Sequence, residues 1–383
     1  MDKPTVQDIF HRFYPAYLDQ YSPSPVQAKV AHNIMNCKTG AYGANVCVCE
    51  DCGFVQIHYN SCRNRCCPMC QAVPKEMWMD ARREDVLDAP YFHLVFTVPD
   101  ILNPVIYSNQ RLLYDALYHA ASSTISELTA DPKHLGAKVG YICILHTWGS
   151  EMNFHPHIHT VLLGGGLASN NQWRDNGENF FLPIRVISKV FRGKYLEELK
   201  RLWEEDKLVF HGTAEKFRNH YTFKELLDSC YGMDWIPHCK KTFNGAQTVI
   251  KYLGKYTHRI AVSNHRIVRM DDDTVTFLVK DYRNEGQWKE LTISGVEFVR
   301  RFLMHVPPRR FVRIRHYGLL CSRTQRQKLT LCRNLLGCKQ YLSKLRDMEM
   351  PEILEHLYGI KVCVCKACGG HLGKPQMRMP LRC

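Results

Sequence analysis

The sequence lacks any apolar run long enough to span a bilayer. Its first residues, MDKPTVQDIFHRFY, also lack the pattern of a secretory signal peptide. These two absences argue against a membrane protein and against a secreted one. They predict a cytoplasmic protein.

Acidic residues are in deficit. The 383 residues include 37 Asp and Glu against 51 Lys and Arg, which gives a formal net charge of +14. A surplus of this size predicts a polyanionic partner, most simply nucleic acid, and says little about the fold. The length suits two or three domains, and a hydrophobic content of 45% allows a real core.

Cysteine, by contrast, is abundant, and the 18 cysteines are unevenly spread. In a reducing compartment, clustered cysteines more often bind metal than form disulfides. Cys49 and Cys52 form one C-x-x-C turn, and Cys67 and Cys70 form another after 14 intervening residues. Four thiolates at about 2.3 Å complete a tetrahedral zinc site, and two such turns supply them. The spacing therefore predicts one structural Zn²⁺ held by these four cysteines.

Other clustered cysteines leave alternatives open. Three of them could form a second site with His58, or could be small buried or surface thiols; these are Cys47, Cys62 and Cys66. Near the C-terminus, Cys365-x-x-Cys368 is a single knuckle. It could be completed by Cys363 and by Cys383 or His371, or it could dock elsewhere in the chain.

The stretch FHPHIHTVLL contains a histidine pair. Alternate residues of a strand point to the same side, so His157 and His159 share one face while Ile158 points into a core. Neutral imidazole is the commonest metal ligand in proteins, so the pair predicts half of a metal site. The alternative is a solvated or hydrogen-bonded histidine cluster.

We place the third metal ligand at His146, which ends the preceding apolar run YICILHTW. A strand that pairs with the histidine strand can present a side chain on the same face. Rival ligands are His155 and Glu151, which lie in the connection between the two strands. His146 could instead only hydrogen-bond a ligand histidine.

The order of the elements predicts an α+β fold. A strand at 91–98 is followed by a helix within 101–129 and by strands at 139–147 and 157–163. The last two would form an antiparallel hairpin in a sheet with helices packed on one face.

Tyr252 and Tyr256 are four residues apart in NGAQTVIKYLGKYTHRIA, which reads as a helix beginning near Asn244. On a helix they share one face, and such a pair is commonly only a packing feature. Basic residues surround this pair, an unusual setting for a core: Lys251, Lys255, His258 and Arg259. Phenol is a weak nucleophile, but nearby cations and a histidine-bound ion would let it attack a phosphodiester. The product would be a 5′-phosphotyrosine and a free 3′-OH.

Basic residues are also concentrated between Arg300 and Arg346, and aromatic side chains such as Phe311 and Tyr317 are interleaved with them. This mixture is typical of surfaces that track a phosphate backbone and stack bases, although a solvated face is the simpler explanation. The predicted DNA contacts are Lys251, Lys255, Arg259, Arg309, Arg310, Arg313 and Arg315.

These stretches resemble the rolling-circle transposases of the insertion-sequence-91 family, bacterial enzymes with two active tyrosines. HPHIH resembles their histidine–hydrophobe–histidine (HUH) motif, YLGKY their tyrosine motif, and CEDCG with SCRNRCCPMCQ their zinc-binding module. The family often has a histidine where Cys66 stands, which counts against Cys66 as a ligand. The spacing of His146 from the histidine pair also resembles that of the three-histidine relaxases, a related HUH group.

The resemblance implies an HUH-type antiparallel sheet with helices on its faces and Mg²⁺ or Mn²⁺ at the histidine site. It further implies cleavage of single-stranded DNA at the ends of a mobile element. The sequence itself gives no evidence of a membrane or of a protein partner. We therefore divide the chain into three regions. Residues 1–88 would form N-terminal helices and a zinc-binding domain, and residues 89–263 the HUH catalytic domain with the tyrosine helix. Residues 264–383 would form a basic C-terminal DNA-binding region with a possible second zinc knuckle.

Two other functions are compatible with these motifs. A plasmid replication initiator or conjugative relaxase would use the same HUH chemistry. A zinc-dependent DNA-binding protein without catalysis would form no covalent adduct with DNA.

Overall fold

The computed structural model describes the chain in ranges, which are 3–176, 180, 182–235, 237–243, 248–249, 254, 260–281, 285–321 and 325–378. The helices with complete bounds in these ranges are α1 (Val6–Gln20), α2 (Pro25–Met35), α3 (Ala72–Arg83), α4 (Asn103–Ser108), α5 (Gln110–Ala130), α6 (Ile184–Glu204), α7 (His220–Gly232), α8 (Gly295–Met304), α9 (Gln325–Leu336) and α10 (Met350–Tyr358). The strands are β1 (Ala44–Val48), β2 (Val55–Tyr59), β3 (Tyr91–Thr97), β4 (Lys138–Trp148), β5 (Phe154–Leu167), β6 (Trp173–Asp175), β7 (His238–Phe243), β8 (Ile267–Met270), β9 (Thr274–Asp281), β10 (Gln287–Ser294), β11 (Ile314–Gly318) and β12 (Gln376–Arg378). No described helix is both long and apolar enough to cross a membrane.

The largest sheet is antiparallel and has the strand order β11-β4-β5-β3-β7, with β6 paired to β5. Strand β5 lies in its middle because its sequence from Pro156 to Leu167 is buried throughout. A strand buried on both faces reads as a nearly continuous apolar run, and VLLGGGL is such a run. The sheet and its helices confirm the predicted α+β class.

Both faces of this sheet are covered. Leu94, Ile158 and Leu162 point to the face that packs against α4–α7, the larger of the two cores. Alternate residues, such as Val161, point to the opposite face, where they pack against residues of α3 and α9. This alternation puts the apolar core on one side of β5 and the histidines on the other.

A separate core joins the N-terminal helices to a later part of the chain. It contains residues of α1, α2, β8–β10 and α8. The rings of Phe10 in α1 and Phe302 in α8 meet edge to face with centroids 5.2 Å apart. Segments assigned from sequence to the first and last of three domains therefore share one core.

Besides the large sheet and a three-stranded sheet of order β10-β9-β8, a third, small sheet has the order β12-β1-β2. Its middle strand β1 pairs with β2 from the same hairpin and with β12 from the C-terminus, and both pairings are antiparallel. The zinc-binding segment of the N-terminus is thus completed by the last described residues of the chain.

Most predicted elements are present with slightly different ends, including the hairpin of β4 and β5. Strands β7 and β11 were not predicted, and β11 lies inside the basic stretch. Ser294 caps α8 by accepting a hydrogen bond from the backbone N–H of Glu297. Most of the predicted tyrosine helix lies outside the described residues.

Candidate metal and catalytic site

The hairpin of β4 and β5 brings three histidines together. His146 lies directly opposite His157 in the pairing of the two strands, and Ile144 lies opposite His159. Opposite residues of an antiparallel pair project to the same face, so the three imidazoles meet on one side of the sheet. One ring nitrogen from each lies within 4.8 Å of the others, and all three side chains are buried.

The ring nitrogens of the histidine pair converge. His157 Nε2 and His159 Nε2 are 3.0 Å apart. The Nδ1–H of His157 donates to the backbone carbonyl of His155 at 2.6 Å, which leaves the lone pair of Nε2 free for a ligand. His159 Nδ1 lies 2.9 Å from Nε2 of His93 on β3. With His159 Nε2 as a metal ligand, Nδ1 carries the proton and donates it to His93.

Burial favours the neutral form of His157 and His159. It lowers the pKa of His157 to about 3, with a further lowering from His155. It also holds the pKa of His159 well below the usual value, helped by His146 and His157. Neutral imidazoles bind divalent cations, so the three nitrogens fit the ion that the sequence predicts here.

The two rival ligands lie outside this cluster. The ring of His155 faces Asp100, with Nδ1 3.2 Å from the carboxylate. The carboxylate of Glu151 accepts a hydrogen bond from Asn153 at 3.4 Å. The geometry thus brings His146 to the histidine pair, and its role as a metal ligand stays a prediction.

An aromatic stack supports His146. Its ring lies on Trp148 with centroids 4.5 Å apart and planes at 18°. The guanidinium of Arg313 lies over Trp148, 5.6 Å from the centroid of that ring. Arg313 is only 9% exposed, and burial lowers its pKa. Its predicted contact with DNA conflicts with this burial, because its side chain lies inside the protein behind the histidine site.

The other predicted DNA contacts are differently placed. Arg315 pairs with Asp115 and lies over the ring of Tyr118 at 4.0 Å, so internal contacts hold it. Arg309 and Arg310 are exposed. The remaining predicted residues lie outside the described part of the chain: Lys251, Tyr252, Lys255, Tyr256 and Arg259.

Two described residues bracket part of the tyrosine segment. Val249 is buried in the core on the histidine face of the sheet. Gly254 lies so close to α3 that an added Cβ would fall 1.8 Å from the sulfur of Met79. Because Met79 belongs to the same core, both residues lie on the histidine side of the sheet.

The four cysteines predicted to share one zinc ion do not meet. Cys67 and Cys70 cluster with Cys37 and Cys62, whereas Cys49 and Cys52 cluster with Cys365 and Cys368. The predicted pairing of the two N-terminal knuckles is therefore wrong. Strand β1 carries Cys49 toward β12, and the C-terminal knuckle takes the place that had been given to Cys67 and Cys70.

Sequence reasoning missed Cys37 as a partner, because it is a single cysteine with no C-x-x-C neighbour. The C-terminal knuckle does dock elsewhere in the chain, which was one of the two alternatives. Cys66 is buried outside both clusters, and burial raises its pKa to about 11. Among the described residues, His58 is not part of a metal-binding group; its ring hydrogen-bonds the side chain of Gln56 at 2.7 Å.

Comparison with known proteins identifies transposase domains in both the N-terminal and the central part of the chain. The family model described as "Putative transposase" matches residues 140–328, and the one described as "Transposase zinc-binding domain" matches residues 9–98. The chain is 40% identical over 369 residues to the "Putative transposase y4qJ" of Sinorhizobium fredii (strain NBRC 101917 / NGR234), covering 95% of this chain and 93% of that one. The chain belongs to the insertion-sequence-91 family of transposases.

A second relative of this transposase is the "Transposase for insertion sequence element IS801" of Pseudomonas savastanoi pv. phaseolicola. It is 29% identical over 327 residues, or 84% of the transposase and 74% of the relative. Among solved structures, the conjugative relaxase TrwC with a 27-mer DNA matches with a TM-score of 0.24 and 17% identity, over 29% of the transposase and 44% of the relaxase. A metal-bound TrwC structure with oriT DNA matches with a TM-score of 0.25 and 15% identity. This match covers 43% of the transposase and 70% of that relaxase chain. The transposase thus spans less than half of the first relaxase chain.

Proposed function

We propose that this transposase cuts and rejoins single-stranded DNA at the ends of a mobile element, in a rolling-circle type of transposition. Tyr252 and Tyr256 would be the nucleophiles, and a divalent ion at His146, His157 and His159 would be the cofactor. The observation that carries the proposal is the convergence of three buried histidines on one face of the sheet. Val249, before Tyr252, belongs to the core on that same face, and Gly254, after it, lies against Met79 of that core.

The nucleophilic step needs no energy source outside the DNA. The phenol oxygen of one tyrosine forms a bond to the scissile phosphorus, and the bond from phosphorus to the 3′-oxygen breaks. The phenol proton is transferred to the departing 3′-oxygen, so the products are a 5′-phosphotyrosine and a free 3′-OH. Because the phosphodiester linkage is conserved, a 3′-OH can reverse the step and join a new strand. A second tyrosine allows two such transfers in sequence.

The residues around the phosphate have separate roles in this proposal. His146, His157 and His159 would hold Mg²⁺ or Mn²⁺. When bound, the ion would polarise the scissile phosphate and stabilise its developing charge. The hydrogen bonds from His157 to the carbonyl of His155 and from His159 to His93 fix the two rings in the orientation that presents Nε2. Lys251 and Lys255 would lower the cost of forming the phenolate.

An exposed basic groove offers a path for the DNA strand. Its cationic residues come from distant parts of the sequence and are Lys29, Arg65, Arg309 and Arg310. Arg65 is anchored there by a hydrogen bond from its guanidinium to the carbonyl of Phe311 at 2.6 Å. Phosphates bind such cations with release of counterions, so we infer that this groove contributes sequence-independent affinity.

The direct test is an adduct assay. The transposase is incubated with Mg²⁺ and single-stranded oligonucleotides from the ends of the element, and covalent products are separated on a denaturing gel. We expect an adduct with the unaltered protein and none with the double variant Tyr252→Phe/Tyr256→Phe. Tyr221→Phe, at a 76% exposed tyrosine of α7, is the matched control and should leave the adduct unchanged.

An adduct that persists in the double variant would disprove the tyrosine assignment. The single variants then report which tyrosine acts at which end. His157→Gln tests the metal site in the same assay and should abolish the adduct, whereas His119→Gln, at an exposed position of α5, should not.

A further inference from the structure

We propose that Cys49, Cys52, Cys365 and Cys368 bind a structural zinc ion, in addition to one at Cys37, Cys62, Cys67 and Cys70, and that this second ion ties the C-terminal knuckle to the N-terminal hairpin. The family model of the zinc-binding domain ends at residue 98, so it includes Cys49 and Cys52 but neither Cys365 nor Cys368. The site does not depend on the proposed catalytic chemistry. It is inferred from the sulfur geometry, the backbone around the sulfurs and the small core beneath them.

The four sulfurs have the spacing of a tetrahedral zinc site. All lie within 4.8 Å of one another. Cys49 Sγ is 3.5 Å from Cys368 Sγ, and Cys52 Sγ is 3.8 Å from Cys365 Sγ. Zinc–sulfur bonds of about 2.3 Å at tetrahedral angles separate neighbouring sulfurs by roughly 3.8 Å. Each turn supplies two thiolates, as in structural Zn(Cys)₄ sites.

The two turns have matching backbone conformations. Each has the sequence C-x-x-C-G and ends in a glycine with positive φ, which is +70° at Gly53 and +77° at Gly369. The N–H of each glycine donates to the carbonyl of the first cysteine at 3.0 Å. Only glycine adopts this conformation without strain, so both glycines are required by the turn.

Backbone N–H groups point at the sulfurs of the C-terminal turn. The N–H of Ala367 donates to Cys365 Sγ and that of Gly370 donates to Cys368 Sγ, both at 3.4 Å. Hydrogen bonds of this kind favour the thiolate over the thiol. They are therefore suited to a metal ligand.

The C-terminal knuckle is also fixed against the hairpin through its backbone. The N–H of Glu50 donates to the carbonyl of His371 at 3.1 Å, and that of Gly373 donates to the carbonyl of Val48 at 2.9 Å. Strand β12 continues this contact along β1. The four sulfurs are thus held together by backbone pairing on both sides.

The apolar core under this sheet is too small to hold it. Among the residues that the structure describes, this core contains Cys47, Cys49, Cys365 and Leu372 and no others. Apolar side chains of β2 lie instead on the surface, with Val55, Ile57 and Tyr59 about half exposed. A module with so little buried area needs another source of stability, and a bound metal supplies folding free energy directly.

The metal content of the 383-residue protein tests the proposal. We expect two zinc ions per chain in the unaltered protein, measured by mass spectrometry of the metals. The double variant Cys365→Ser/Cys368→Ser should contain one. Cys363→Ser changes an exposed cysteine outside the cluster and should keep two. Cys62→Ser/Cys70→Ser, in the other cluster, should lose one independently. Zinc content that does not fall in Cys365→Ser/Cys368→Ser would overturn the proposal.

Alkylation of the unaltered protein tests it without any substitution. Cys52, Cys363 and Cys368 are all exposed, so free thiols at these positions would react with iodoacetamide at similar rates. We expect Cys363 to be labelled at once, and Cys52 and Cys368 only after a zinc chelator is added. Labelling of all three before chelation would disprove the site. Labelling of Cys52 and Cys368 only after a reductant would show disulfides and would also disprove it.

Discussion

At the scale of single residues, the contact of His93 with His159 predicts that His93 positions the His159 ring. Its ring lies 2.9 Å from His159 and is buried on the same face of the sheet. Loss of a group that orients a ligand histidine commonly lowers metal affinity by about 10- to 100-fold. We therefore expect His93→Ala to weaken Mn²⁺ binding by a factor in this range, as measured by isothermal titration calorimetry.

Two comparisons make that measurement specific. His119→Ala, on the exposed face of α5, should leave Mn²⁺ affinity unchanged. His93→Gln retains an acceptor for the His159 N–H and should recover part of the affinity. An unchanged affinity in His93→Ala would rule out a positioning role.

The sequence predicted some of these residues and could not predict others. His157 and His159 follow from strand periodicity alone, and His146 follows from the hairpin that its position in the chain predicts. His93 is recognised only once β3 is known to pair with β5, in the register that puts Val95 opposite His159. Such long-range pairing leaves no local pattern.

At the scale of elements, the packing of α1 on α8 depends on Gly295. A Cβ at this position would fall 2.2 Å from the ring of Phe13. We expect Gly295→Ala to lower the free energy of unfolding by about 1–3 kcal/mol, the usual cost of overpacking. Urea denaturation followed by circular dichroism measures this difference.

The matched control should change stability in the opposite direction. Gly193 lies inside α6, and a Cβ there would meet nothing within 4 Å. Gly193→Ala should raise the free energy of unfolding by about 0.5–1 kcal/mol, because alanine loses less backbone entropy in a helix. If the Gly295→Ala clash is the cause, adding Phe13→Ala should make Gly295→Ala cost less than it does in the unaltered protein.

Helix α8 also predicts a pH dependence. Hydrogen bonds from Arg300 and then Arg301 lower the pKa of Glu297 to about 2. A lowered carboxyl pKa in the folded state stabilises the protein above the unfolded value of about 4.3, and this stabilisation is lost as the pH falls toward 2. The side chain is a quarter exposed, so we reduce the contribution to about 1 kcal/mol for solvent screening.

The test compares Glu297→Gln with the unaltered protein by urea denaturation at several pH values. Glu297→Gln should be less stable at pH 7, and the difference should shrink below about pH 4 as the carboxylate is protonated. Glu197→Gln, at an exposed site of α6, should show no difference at any pH. A difference that stays constant down to pH 3 would contradict the assignment.

Two strands that sequence analysis missed, β7 and β11, share a physical cause. Strands β7 and β11 are the two edges of the large sheet. Edge strands carry polar and charged residues that prevent association with other chains, and HCKKTF and IRHYG therefore resemble loops. Central strands such as β5 are recognised easily because burial on both faces demands continuous apolar residues.

At the scale of the whole molecule, the basic groove predicts how DNA binding responds to salt. Each phosphate contact with single-stranded DNA contributes about 0.7 to the slope of log affinity against log salt. Arg309→Gln/Arg310→Gln should weaken binding and lower the magnitude of that slope by about 1.4. Fluorescence anisotropy with a labelled oligonucleotide, repeated over a salt series, measures both.

The control is another double variant, which removes the same number of positive charges as Arg309→Gln/Arg310→Gln. Arg185→Gln/Lys189→Gln removes two exposed cations from α6, which packs on the sheet face opposite the histidines. We expect a much smaller change in slope from it. Equal effects of the two variants would show that net charge, and not the groove, determines affinity.

The three regions divided from sequence are contiguous in the chain, but the described contacts cross their boundaries. Phe10 packs on Phe302, and β11 from the C-terminal region pairs with β4 of the large sheet. Composition along the chain indicates where charge and cysteine concentrate. It carries no information about which distant segments complete a sheet or a core.

The pairing of β1 with β12 sets the order in which the newly made protein can finish folding. The ribosome releases β1 early, yet its partner strand β12 emerges much later, after Cys368, which lies 319 residues beyond Cys49. Contacts of such long sequence separation form late, because the intervening chain must first be ordered. Until then one edge of β1 stays open, which is the kind of edge that joins other chains. A transposase chain that ends prematurely keeps that open edge.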